Sequence, residues 1–106
     1  MNRCTFFGEH IGGQTAIHGD GTRLSDEELA QGKQSDGLLF SVRVFNKRAN
    51  QARRTDESII DCTIWGSAAD FIEENLIPGD RILIKDATAK VEEGIVTFRV
   101  NDFELI

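Results

Sequence analysis

Apolar residues fall on every second position in several stretches of this chain and on a helical stripe in one. In "LLFSVRVFNK", Phe40, Val42 and Val44 alternate with Ser41, Arg43 and Phe45. In "SIIDCTIW", Ile60, Cys62 and Ile64 alternate with Ile59, Asp61, Thr63 and Trp65. A period of two marks a strand with one face in a core. "NRCTFFG" reads as a strand ahead of these, and "RILIKDATAKV" and "IVTFRVNDFELI" read as two more, joined into a hairpin by a tight reversal at "EEG". After Trp65-Gly66 the period changes. Ala68, Phe71, Ile72 and Leu76 share a helical stripe; Ser67, with Asp70 three positions on, predicts a capped start, and Pro78-Gly79 predicts the stop.

The predicted order is therefore β, β, β, α, β, β. It suits an all-β, closed five-stranded barrel of the oligonucleotide-binding type (the OB-fold), whose helix lies between strands 3 and 4 and plugs one end. An SH3-like barrel or a sandwich would not need that helix. Residues 9–37 read as a long, acidic, Gly-rich insertion between the first two strands. Within it "SDEELAQG" predicts one or two helical turns, with Ser25 as N-cap, Glu28 at the third position and Gly32 as the stop.

Composition adds limits. At 106 residues and 40% hydrophobic, residues 1–106 suffice for one domain with one modest core. No run approaches the ~18 apolar residues of a membrane span, and "MNRCTFFGEH" is too short in apolar residues for a secretory signal, so a cytoplasmic protein with no membrane partner is expected. Cys4 and Cys62 stand in strand-like runs with no CxxC neighbour and read as buried free thiols.

The formal charge of −6 argues against a nucleic-acid binder held by bulk positive charge. Its distribution argues differently. "SVRVFNKRANQARR", residues 41–54, holds Arg43, Lys47, Arg48, Arg53 and Arg54 and no acid, so the 18 acids share the rest of the chain with fewer bases. Composition alone leaves this stretch open between a solvated loop tip and a binding surface.

The opening "MNR" with its strand and Gly8, the alternating second strand, "IIDCTIWGSAADFIEENLIPGDRILI" and the closing "VNDFELI" together resemble the bacterial and phage single-stranded DNA-binding proteins. The collinear set over residues 1–8 and 38–106 carries the resemblance. It implies that the outward side of the second and third strands binds DNA, with Trp65 at a position where that family carries a stacking aromatic and Phe45 in the same outward phase on the neighbouring strand. Arg43 and Lys47 share that phase, and Arg48, Arg53 and Arg54 fall in a hairpin loop that wraps nucleic acid in the family. Aromatics set among positive charges stack bases and grip phosphates together. The other uses of Trp65, covering the barrel mouth or filling an oligomer contact, stay open from sequence, as does a structural role for Phe45.

The resemblance further implies a homo-oligomer, dimer or tetramer, paired through the first strand, and replication or repair proteins as partners. The chain departs from the family at Asp61, which is acidic on the binding side, and at the fourth-to-fifth strand loop, which is short and acidic at "KVEEG". It also ends at Ile106, where many members continue into a flexible tail with an acidic tip. A different class is compatible with the acidic balance: a divergent OB-fold adaptor that binds protein in a replication or mobile-element complex. No cofactor or metal is expected. His10 and His18 are eight apart, "HGDG" lacks the spaced carboxylates of a calcium loop, and no nucleophile, base and acid can be placed together as an enzyme would need.

Overall fold

The computed structural model describes residues 3–44 and 58–106. Strands β1 (Arg3–Ile17), β2 (Gly37–Val44), β3 (Ser58–Trp65), β4 (Arg81–Glu92) and β5 (Ile95–Leu105) close a barrel in the order β1-β2-β3-β5-β4. Helix α1 (Asp26–Ala30) lies in the first connection and α2 (Ser67–Asn75) between β3 and β4. Every neighbouring pair is antiparallel except β3 and β5, whose parallel contact, Cys62 with Phe98 and Thr63 with Arg99, shuts the barrel. This is the predicted OB-fold architecture, its helix where the sequence placed it.

The alternation fills most of the interior as read; of the positions it assigned inward, Ile60 is only partly buried against the core and Val44 is half-buried at the end of β2. Leu38, Phe40 and Val42 from β2, Cys62 and Ile64 from β3, Ile82, Ile84 and Ala87 from β4 and Val100 from β5 form one buried cluster. Ala69, Ile72 and Leu76 close its end. Burying a side chain such as Ile72 stabilises the fold by roughly 1.5–3 kcal/mol. Burial also pushes the Cys62 thiol up to about 12, helped by the Asp61 charge, so Cys62 packs as a small apolar group. Cys4 is half-buried and reduced, not fully buried.

Three local expectations are corrected. The first strand does not stop at Gly8. It bends through Gly12 and Gly13, both at positive φ, and resumes pairing with β2 at Thr15, Ala16 and Ile17. Two glycines in a left-handed conformation break the alternation that would have announced a strand. The connection to β2 therefore begins at His18 and not at Glu9. It contains the predicted capped turn, with Ser25 Oγ accepting from the Glu28 amide and Glu28 accepting from the Ser25 amide.

The second correction is the cap of α2. Gly66, at φ 68°, is the N-cap and no side chain caps the helix, so Ser67 and Asp70 lie inside its first turn. The third is its buried face. Ala69 takes a buried place, Ala68 is partly buried, and Phe71 is exposed, its ring 6.0 Å from that of Phe103 on the outside.

His10, met in the sequence as a loop residue, is fully buried, its ring 5.9 Å from that of Phe40. Its amide donates to Asp80 O and its carbonyl accepts from Gly79 N, both at 2.8 Å, which fastens the turn after α2 to the bend in β1. The Gln14 side-chain amide donates to Leu76 O at 3.1 Å and lies 3.2 Å from His10 Nε2. Burial pushes the His10 imidazole below its ordinary value, against the opposing pull of the Ser41 backbone and Asp80.

Candidate functional site

The outward residues of β2 and β3 form rows fixed by register: Arg43 beside Ile59, Ser41 beside Asp61, Leu39 beside Thr63, Gly37 beside Trp65. The parallel contact adds Arg99 of β5 beside Thr63. Leu39, Thr63 and Arg99 thus stand in one row at the ~4.8 Å spacing of neighbouring strands. On the same side of the β4–β5 hairpin, Lys90 pairs with Thr97 and Thr88 pairs with Arg99. The hairpin turns at Glu93-Gly94, both at positive φ, the two-residue turn that matches strand twist.

Between these strands and the loop after β1 runs a groove of about 570 Å³. Trp65, Thr63 and Leu39 form its floor, Lys90, Glu92, Thr97 and Arg99 one wall, and Gly19 to Thr22 the other. Arg99 makes no ion pair among the described residues, so its guanidinium is available to an anion. Lys90 lies 3.1 Å from Glu92, an exposed pair worth little that a phosphate can displace.

Trp65 is half-buried, and what holds it is a glycine. A Cβ on Gly37 would meet Trp65 Cε3 at 2.5 Å and Cζ3 at 2.9 Å, with the Ile64 carbonyl at 2.7 Å. The indole therefore lies against the bare backbone of its cross-strand partner, an arrangement that only a residue without a side chain permits. One side of the ring is braced, and the residue borders the groove.

The facing loop is braced as well. The His18 amide donates to Thr22 O at 2.7 Å, and the Gly19 amide donates to Asp36 Oδ2 at 2.8 Å. Asp20 Oδ1 accepts from both the amide and the hydroxyl of Thr22, at 3.0 and 2.7 Å. Those bonds, the hydroxyl first, hold the Asp20 carboxyl below its ordinary range, so it is an anion at neutral pH. Glu28 anchors the loop to α1. It accepts from Lys33 Nζ at 2.9 Å and lies 3.1 Å from His18 Nε2. The Lys33 bond, followed by that of the Ser25 amide, brings the Glu28 carboxyl down to about 2.

The residues expected from sequence divide into three groups. Trp65 lines the groove. Arg43 shares its face but stands six residues along the strands, about 20 Å away at strand rise, and its Nη1 lies 3.4 Å from Glu9 Oε1 on β1. Asp61 is engaged by Ser41, whose hydroxyl donates to Oδ1 at 2.9 Å. Phe45, Lys47, Arg48, Arg53 and Arg54 lie outside the described residues. Sequence reasoning passed over Lys90, Arg99, Gly37 and the loop at Asp20. The outward phase of Arg99 was there in "VTFRV", and Gly37 sits where "GLLF" begins a strand, but their meeting with Trp65 depends on barrel closure.

These features define an OB-fold with an outward groove that combines an aromatic ring and cations. No family model matches the chain, and no curated protein matches it in sequence. Solved structures do match in fold. The chain is similar to the mitochondrial single-stranded DNA-binding protein Rim1 of S. cerevisiae at 15% identity and a TM-score of 0.64, over 98% of this chain and 92% of that one. It is similar to the small single-stranded DNA-binding protein of Streptomyces coelicolor at 13% identity and 0.64, over 100% and 94%. It is also similar to Schizosaccharomyces pombe Pot1pC, solved bound to single-stranded DNA, at 16% identity and 0.59, over 99% and 78%. At such identities the likeness speaks for the fold; the groove must speak for the chemistry.

Proposed function

We propose that the protein binds single-stranded DNA along the outer face of β2, β3 and β5, without requiring a fixed sequence, and protects exposed strands in replication, recombination or repair. The observation that carries this reading is the groove that sets Trp65 beside the Arg99 and Lys90 wall. A ring braced on one side and bordering open space on the other suits a nucleobase, and stacking there contributes about 1–3 kcal/mol per base whatever the base. Two cations alongside suit the phosphates. The basic residues of 41–54 would extend the contact past Arg43, at the far end of the same face. Self-association through the first strand belongs to the proposal.

Because Trp65 is the sole tryptophan, its fluorescence tests the reading directly. Titration with oligo-dT at low salt should quench it, and added salt should reverse the quenching. Removing both wall cations (K90A/R99A) should flatten the dependence of log affinity on log salt by about 0.7 for each phosphate no longer neutralised. A flat signal, with no binding in a gel shift, would overturn the proposal.

A second reading, a protein adaptor of the same fold, has one observation of its own. A wide cleft between α1 and α2 is lined by Asp36, Asp70, Glu73 and Glu74 around Ala16 and Leu29, a surface suited to a basic protein and not to a polyanion. A specific protein captured together with absent oligonucleotide affinity would select it.

A further inference from the structure

The groove contains a group that a site for phosphates alone would avoid. Asp20 lines it on the side facing the hairpin wall, where its charge weakens any nearby phosphate contact; the other carboxylate of the groove, Glu92, sits beside Lys90 on that wall. The loop nonetheless presents this carboxylate in a defined way. Both Thr22 bonds fall on Oδ1, and neighbouring backbone bonds at His18, Gly19 and Gly21 fix the loop itself. Among the described residues no hydrogen bond falls on Oδ2, which is left to accept from something else.

Single-stranded bases stacked on an aromatic offer their hydrogen-bonding edges to the surroundings. A carboxylate accepts and never donates. It therefore pairs well with an edge that carries an exocyclic amine, as cytosine does at N4. Thymine offers one edge N–H, set between two carbonyl oxygens that repel a carboxylate.

We propose that Asp20 makes the Trp65 end of the groove prefer bases that carry an exocyclic amine on that edge, cytosine among them, over thymine and uracil. This rests on the single-stranded DNA reading above and refines it: the strand is held without a fixed sequence, and one subsite is biased. Asp20 is then a specificity residue, and its electrostatic cost to phosphate binding is offset at the favoured base.

The substitution Asp20→Asn separates the two effects. Asn keeps an oxygen for Thr22 and replaces the second oxygen by a donor, which suits the carbonyls of thymine; the site is exposed and outside the core, so the barrel is expected to fold. Affinities for oligo-dC and oligo-dT of equal length are measured at one low salt concentration, by Trp65 quenching and by anisotropy of labelled strands. Loss of a charge-assisted hydrogen bond should lower the dC-to-dT affinity ratio about tenfold from wild type to D20N. Taking the ratio between variants cancels the intrinsic differences between the two strands. If D20N raises both affinities by the same factor, Asp20 acts on phosphates alone and the inference falls while the binding reading stands. If the wild type binds neither strand, both fall together.

Discussion

Gly37→Ala is the most economical perturbation of the site, since it adds one methyl group underneath Trp65. The methyl carbon would lie 2.5 Å from Cε3 and 2.7 Å from the Ile64 carbonyl oxygen, where carbon atoms ordinarily approach to ~3.5 Å. The carbonyl belongs to the β2–β3 ladder and is hard to move, so the indole must lift. Overpacking of this kind costs ~1–3 kcal/mol. Replacing a glycine returns ~0.4–1 kcal/mol through the unfolded chain. The net loss of about 1–2 kcal/mol should lower Tm by roughly 4–10 °C in a domain of this size. The larger effect belongs to binding. A ring that is no longer braced should lose much of the ~1–3 kcal/mol that stacking supplies, weakening oligo-dT binding by about 5- to 150-fold. Thermal melting and Trp65 quenching on the same sample measure both. An Ala variant with wild-type Tm, emission maximum and affinity would refute the claim that Gly37 holds Trp65 in place.

Four further outcomes follow from particular contacts. His10 is held below its ordinary value in the fold, so the unfolded chain takes up the proton first, and stability should fall as pH drops below about 6.5, by no more than ~1.36 kcal/mol per pH unit for one proton; His10→Gln should remove that slope in urea titrations. Glu28, down at about 2 against an ordinary 4.5, adds stability present above pH 4.5 and lost as pH falls towards 2, so Glu28→Gln should make melting less pH-dependent in that lower window. Cys62, pushed up to about 12, should resist iodoacetamide in the folded protein and react at the unfolded rate in denaturant. Arg53→Ala with Arg54→Ala should flatten the salt dependence of oligonucleotide binding; an unchanged slope would take the 41–54 segment out of the binding surface.

The barrel was legible because its rule is local. Alternation in "LLFSVRV" and "SIIDCTIW" assigned Phe40, Val42, Cys62 and Ile64 to the interior one residue at a time, and all four are buried. Where glycine suspends the rule, legibility ended: Gly12 and Gly13 hid the second half of β1, and with it the burial of His10. The cap of α2 was misread because Ser67 has the chemistry of an N-cap, while the backbone turn needed the positive φ of Gly66. Trp65 could be singled out from its phase and its place at a strand end. Its neighbours could not, because Arg99 reaches Thr63 only through the parallel closure of β3 on β5, a contact between residues far apart in sequence.

The same separation of local from closed-barrel information resolves the charge problem. A protein of formal charge −6 is a poor ligand for a polyanion if its charge is spread evenly, since each phosphate then meets net repulsion. Here Asp26, Glu27 and Glu28 lie on α1, and Asp36, Asp70, Glu73 and Glu74 line the cleft between α1 and α2. Arg99 and Lys90 border a different surface, whose acids are Asp20, bonded to Thr22, and Glu92, beside Lys90, and Asp61 and Glu9 on the strand faces are each engaged by a neighbour. Beyond a Debye length of about 8–10 Å the acidic surface is screened at ordinary salt. Under the proposed function, what a strand would meet at contact is the local ring and wall with their own acids, so the sign of the whole molecule would set how fast and in which orientation the strand arrives more than how tightly it is held.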